Sequence, residues 1–291
     1  MSRPKVNYIM GAGRSGSTVL ERLLASASGS VAVGEVATLW RRPLDQLTCS
    51  CGAPAPECGF WRKARAHAGL TDTALAELAA LEHETIRHRR MISDAVSGRA
   101  WALSREVQHF LGMQANLFAA IAEISGATRI IDSSKAAPRA WALSDLMGVT
   151  ILHLRRNPAD VAASWRREKH DPSLGAPMRR PSFAAMARDW LTTELSARRL
   201  ARTRPVIRID YEALIADPAA TIAPLGPLAD GVKLQNGRMF TPDPDYHSLN
   251  GNPDRFRRGA ITLKPATAPD LPRLDAAFAR VTGAALNMAA P

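Results

Sequence analysis

Five short apolar runs punctuate the chain, and the stretches between them carry apolar residues at helical spacing. Residues 6–10 are the first run, with a β-branched bias that predicts a buried strand. Behind it, Leu20, Leu23, Leu24 and Ala27 recur at i, i+3, i+4 and i+7, the spacing of a helix with one buried face. Residues 30–34, 128–132, 149–154 and 205–209 predict four more strands, and 149–154 is the clearest of them. Helices are expected over 71–96, 99–124, 140–146, 158–165, 182–203 and 271–281, with another beginning at 210–212. Strands alternating with helices in this way predict an α/β fold built on a parallel sheet. Residues 226–265 are rich in Pro, Gly, Asn and charge and predict long loops, which are uncommon unless they serve a site.

The junction of the first strand and first helix reads Gly11-Ala12-Gly13-Arg14-Ser15-Gly16-Ser17-Thr18. A glycine turn feeding a helix N-terminus presents free backbone N–H groups and the positive end of the helix dipole, which together hold a phosphate or sulfate group. The spacing G-x-x-x-x-G-S-T is that of a P-loop, with Ser17 standing where a nucleotide-hydrolysing loop carries its lysine. Arg14 is the nearest strong cation, so the anion cradle is kept and the triphosphate clamp is missing. An ordinary Gly/Ser turn is the weaker reading, because strand and helix signals flank it. The fold class that follows is a P-loop-type central parallel sheet flanked by helices. It is read as one domain over 1–291 with a helical insertion at about 71–125.

Ligands in open parallel sheets sit outside the C-terminal ends of the strands. Glu35 follows the second strand and is expected beside the turn, although a surface acid or a helix N-terminal acid would look the same. Lys135 follows the third strand through Asp132-Ser133-Ser134, and its compact ammonium could approach a leaving oxygen. Ser133 or Ser134 could equally cap the next helix. Arg155-Arg156-Asn157-Pro158 ends the fourth strand, with Pro158 opening a helix that carries Ser164. Arg156 and Ser164 could converge on a further anion, or be a surface arginine and a buried small residue. The run from Gly251 to Gly259 is a basic cluster that could close over a nucleotide, or a solvated charged loop.

Of 38 Lys and Arg residues only six are lysines, and the formal net charge is +11. Arginine suits bidentate grip on phosphate and sulfate oxygens, and the charge fits an anionic ligand, an acidic acceptor or nucleic acid without choosing among them. The N-terminus lacks the apolar core of a signal peptide, and no apolar run reaches the roughly 18 residues needed to span a membrane. A soluble, cytoplasmic protein is the expectation. Cys49, Cys51 and Cys58 are odd in number and close together, which argues against a secreted disulfide framework. They could ligate zinc with a fourth ligand such as His67, but only one tight pair is present, so a local loop with one labile disulfide is preferred and no metal is assigned.

In combination these blocks resemble the sulfotransferases that use 3′-phosphoadenosine 5′-phosphosulfate (PAPS), of the bacterial carbohydrate or small-molecule type with echoes of the tyrosylprotein sulfotransferases. The match runs from Val6 to about Gly259. The resemblance implies that Gly13, Arg14, Ser15, Gly16, Ser17 and Thr18 bind the 5′-phosphosulfate. It implies that Arg156 with Ser164 binds the 3′-phosphate, and that Arg255, Arg257 and Gly259 cover the nucleotide. Gly34-Glu35 resembles a G-E pair whose glutamate is the general base, and Lys135 corresponds to the catalytic lysine. In-line sulfuryl transfer follows, with Glu35 taking the acceptor proton, Arg14 and the turn amides stabilising charge, and Lys135 offsetting charge on the departing oxygen. The acceptor would be a small molecule, carbohydrate or peptide, without nucleic acid and without a metal. Two rivals stay open: a nucleotide-dependent small-molecule kinase, with Asp132 imitating a Mg²⁺-holding Walker B acid, and a noncatalytic nucleotide or nucleic-acid binder.

Overall fold

A computed structural model of the protein describes residues 4–97, 104–146, 148–171, 176–178 and 180–263. The expected starting residues of the helix at 99 and the whole expected helix at 271–281 lie outside them. The chain opens with β1 (Lys5–Met10), α1 (Ser17–Ala25) and β2 (Ser30–Gly34). Five helices then precede β3 (Arg129–Lys135): α2 (Thr38–Arg41), α3 (Gly59–His67), α4 (Asp72–Thr85), α5 (His88–Ser97) and α6 (Arg105–Ser125). Next come α7 (Ala137–Leu143), β4 (Val149–Arg155), α8 (Pro158–Arg166) and the short pair β5 (His170–Asp171) and β6 (Ala176–Pro177). The chain continues with α9 (Phe183–Ala201), β7 (Val206–Asp210), α10 (Tyr211–Ala216) and α11 (Pro218–Ile222). It closes with a second short pair, β8 (Met239–Phe240) and β9 (Ile261–Thr262).

The central sheet has five parallel strands in the order β2-β3-β1-β4-β7. Successive strand side chains alternate between faces. In β1, Tyr8 and Met10 accordingly join a core with the helices of the β2–β3 connection, while Ile9 joins the core of α1, α10 and the later segments. Side-chain caps start the long helices: Thr71 accepts from Ala74 N at 3.2 Å, Ser104 from Val107 N at 3.3 Å and Ser182 from Ala185 N at 3.2 Å. Among the described residues no helix is long and apolar enough to cross a membrane.

Some expectations change. The helix expected over 71–96 is broken at Ile86 into α4 and α5, and the apolar spacing hid the break because Ile86 is itself buried. Neither Ser133 nor Ser134 caps α7. Both belong to β3, and the Ser134 hydroxyl instead donates to Asp132 at 2.5 Å and accepts from Ala37 N at 3.2 Å. The segment 226–265 is not all loop, since β8 and β9 pair within it.

Candidate functional site

Parallel pairing brings the C-terminal ends of β1, β2 and β3 side by side: Met10 opposite Lys135, and Gly34 opposite Asp132. The turn at 11–16, Glu35 and Lys135 therefore share one edge of the sheet. Arg155 ends β4 on the other side of β1, so Arg156 reaches the same edge.

The turn is packed so tightly that a side chain is excluded at each of its glycines. A Cβ on Gly11 would lie 2.7 Å from the Leu154 carbonyl oxygen and one on Gly13 2.8 Å from the Trp165 ring, and one on Gly16 would meet the Tyr211 ring. Gly16 caps α1 in a left-handed conformation without a side chain, which leaves the amides of the first turn facing outward. Arg14 also holds a positive φ of 69°, as does Lys135 at 67°. Such conformations cost of order 1–3 kcal/mol each in non-glycine residues and gather at functional sites.

Arg14 is the hub of the polar groups around the turn. Its Nε donates to Ser164 Oγ at 3.3 Å, its guanidinium lies 5.6 Å from the Trp165 ring centroid, and its carbonyl accepts from Arg156 Nη1 at 2.9 Å. Burial, partly offset by Asp254, lowers the Arg14 guanidinium below its ordinary value. Arg156 lies over the Tyr211 ring at 4.4 Å, and its own carbonyl accepts from Trp190 Nε1 at 2.9 Å. Asp189 accepts from Gly13 N at 3.2 Å. Among the described residues, Ser15 Oγ and Arg156 Nε are buried without a hydrogen-bond partner. A cavity of about 300 Å³ lined by Trp165, Arg166, Arg180 and Phe183 adjoins the turn through Trp165.

Glu35 and Lys135 are in direct ion-pair contact, each with about a fifth of its side chain exposed. Asn250 Nδ2 donates to the other carboxylate oxygen at 3.1 Å. Behind them Glu21 is fully buried and hydrogen-bonded by Tyr246. Burial raises it from an ordinary 4.5 to about 7 against the hydrogen bonds of Ser133 and Tyr246 and the charge of Lys135.

The late basic block is braced from several directions. Arg255 is buried, donating to Gly251 O at 3.0 Å and pairing with Asp171 at 3.3 Å, whereas Arg257 and Gly259 are exposed. Arg22 donates to the carbonyls of Asp254 and Arg257 at 2.9 and 2.8 Å, and Lys169 binds Asn252 and Asp254 at 3.1 Å each. Arg255 is thus committed to holding the loop, and the exposed Arg257 is the more available of the two to a ligand. Asp132 is in no position to hold Mg²⁺: it is fully buried, accepts from Ser134 N at 2.8 Å and pairs with Arg139 at 3.5 Å.

Tyr211, Trp165, Asp189 and Asn250 were not legible as site residues. Each reaches the turn or Glu35 from a distant element, and a lone Tyr, Trp, Asp or Asn carries no local signal. His247 was missed as a neighbour of Cys49, Cys51 and Cys58, while the anticipated His67 is not in that cluster.

The family model described as "Sulfotransferase family" matches residues 8–227. Solved structures similar to the chain include the sulfotransferase domain from the Synechococcus PCC 7002 olefin synthase (18% identity over 97% of this chain and 96% of that chain, TM-score 0.47). The sulfotransferase domain from the curacin biosynthetic pathway is also similar (16%, 97% and 99%, TM-score 0.47). So is sulfotransferase STF1 from Mycobacterium tuberculosis H37Rv (14%, 81% and 70%, TM-score 0.43). No curated protein matches the chain.

Proposed function

The chain belongs to the sulfotransferase family, and on that premise we propose that it moves the sulfuryl group of PAPS to an acceptor hydroxyl or amine by in-line displacement. The observation that carries this reading is the Glu35–Lys135 pair beside a glycine turn whose helix has no side-chain cap. PAPS supplies an activated sulfuryl group and two phosphate positions. The residues present suit such a ligand: the amides at Gly16, Ser17 and Thr18 with buried Ser15 Oγ, and Arg156, whose Nε is unpartnered and whose Nη1, like Ser164, is hydrogen-bonded to Arg14.

Glu35 takes the proton of the acceptor hydroxyl as its oxygen attacks sulfur. Proton uptake neutralises Glu35 and leaves the Lys135 ammonium uncompensated. The ammonium can then turn to the negative charge growing on the departing oxygen. Arg14 and the turn amides hold charge on the sulfuryl and 5′-phosphate oxygens without reorganising. Asn250 keeps the Glu35 carboxylate oriented between these groups. The acceptor is proposed as a small molecule, carbohydrate or peptide.

The test is transfer from radiolabelled PAPS to a panel of phenols, sugars, peptides and amines. Glu35→Gln should keep PAPS affinity and lose about 10²–10⁴-fold in kcat, the range a positioned general base supplies. Unchanged kcat in that variant would remove Glu35 from the role, and no transfer to any acceptor would count against the activity itself.

A further inference from the structure

Residues 47–58 form a tight knuckle. Thr48 bridges Pro54, Cys49 N donates to Ala53 O at 2.9 Å, Gly52 N donates to Cys49 O at 2.8 Å, and Gly52 holds a φ of 98°. The turn gathers Cys49 and Cys51, and Cys58 caps α3 at the end of the same segment. All three thiols are free. A strap from the far end of the chain, residues 246–251, lies against the knuckle. Ser50 N donates to Ser248 O at 2.8 Å, Ser50 Oγ to Tyr246 O at 2.7 Å, and Ser248 N to Ser50 Oγ at 2.8 Å. These bonds carry His247 to the thiols, 189 residues beyond Cys58.

We propose that Cys49, Cys51, Cys58 and His247 form a structural zinc(II) site that fastens the strap to the knuckle. The four donor atoms all lie within 4.8 Å of one another. A tetrahedral zinc with Zn–S of about 2.3 Å and Zn–N of about 2.0 Å sets S···S edges of about 3.8 Å and S···N edges of about 3.5 Å. Cys51 Sγ to Cys58 Sγ is 3.8 Å, and His247 Nδ1 is 3.6 Å from Cys49 Sγ and 3.4 Å from Cys58 Sγ. These three edges match a tetrahedral coordination sphere, and the remaining ones lie within 4.8 Å, whereas a disulfide needs sulfurs at about 2.05 Å and would leave one thiol and the imidazole unused. Phe60 stacks on the His247 ring at 4.6 Å and 5°, which fixes the plane in which Nδ1 points. Three soft thiolates with one imidazole suit zinc, and four protein ligands close the sphere, so the ion would hold structure and take no part in chemistry.

The position gives the site a consequence. Asn250, three residues past His247, donates to Glu35, and the side chain of Ser248 occupies the space beside Gly34. A metal at the knuckle thereby anchors the segment that orients the candidate base. This consequence rests on the proposed function; the metal content does not.

The full chain, expressed with zinc and purified without chelators, should contain about one zinc per molecule by elemental mass spectrometry. Cobalt(II) in its place should show the intense visible bands of a tetrahedral thiolate complex. His247→Ala should release zinc to a chromogenic chelator at least about tenfold more readily, since losing even an outer partner of a ligand costs about 10–100-fold in affinity. His67→Ala should match the wild type. Should His247→Ala fail to fold, thiol alkylation of the wild type decides instead, with Cys49 and Cys58 protected until the chelator is added. A metal-free chain, or a Cys51–Cys58 disulfide in protein purified under air with zinc, would overturn the proposal. Sulfuryl transfer surviving in metal-free protein would remove only the link to Glu35.

Discussion

Glu21 sits one turn into α1, fully buried, with Tyr246 bonded to one oxygen and Lys135 nearby. Burial raises its carboxyl from 4.5 to about 7, so the native state holds this proton more tightly than the unfolded chain does. That contribution to stability is complete below about pH 4.5 and is lost as pH rises through about 7. Glutamine mimics the protonated acid and does not titrate. Glu21→Gln is therefore expected to match the wild type near pH 4 and to exceed it by up to about 3 kcal/mol near pH 8, since each pH unit between the unfolded and folded values is worth about 1.36 kcal/mol. Denaturant melts of both proteins across that range measure the difference, and a constant gap would show that the Glu21 carboxyl binds its proton equally well in the folded and unfolded chain. Such a residue is invisible in sequence, because a glutamate at a helical position is ordinarily solvated. Glu35 and Lys135 were legible for the opposite reason: each directly follows or ends a readable strand, and parallel strands deliver their ends to one edge.

At the scale of elements, the five strands of the central sheet could be read from periodicity, because a five-residue apolar run needs only its neighbours to be recognised, and the turn after β1 could be read from its glycine spacing. Helix ends were less legible. Ile86 breaks a helix that its apolar spacing would continue, and α2 and α3 lie in stretches where Pro, Gly and Cys masked short helical turns. What no local pattern carries is the close approach of distant segments. Gly34 ends β2 with a φ of 63°, and a Cβ there would collide with the side chain of Ser248 on the strap. Gly34→Ala should cost roughly 1–3 kcal/mol from the left-handed backbone alone. It should also push Asn250 away from Glu35. Pairing it with Ser248→Gly should relieve the collision and leave only the backbone cost. Urea midpoints of the single and double variants separate the two, and equal midpoints would mean that the strap does not press on β2.

Across the whole molecule, the site draws on residues from Arg14 to Asn250, so a ligand that spans it would bridge early, middle and late segments of the chain. The buried guanidinium of Arg156 ties the turn at Arg14 to the end of β4 and lies over Tyr211, on which Gly16 also packs. If it also receives a 3′-phosphate, adenosine 3′,5′-bisphosphate should stabilise the folded chain by about 2.7 kcal/mol at a hundred times its Kd, read as a rise in Tm of several degrees. Adenosine 5′-phosphate, lacking that group, should bind more weakly. Arg156→Ala loosens the turn as well as removing a charge, so a fall in affinity alone would prove little. The ratio of the two affinities is the informative quantity, because loosening weakens both ligands and the lost charge weakens only one. Hydrogen bonds to charged groups contribute about 1.5–3 kcal/mol, so the ratio should fall by about tenfold or more in the variant. A ratio that survives Arg156→Ala would move the 3′-phosphate to another cation, with exposed Arg257 on the late loop the next to substitute.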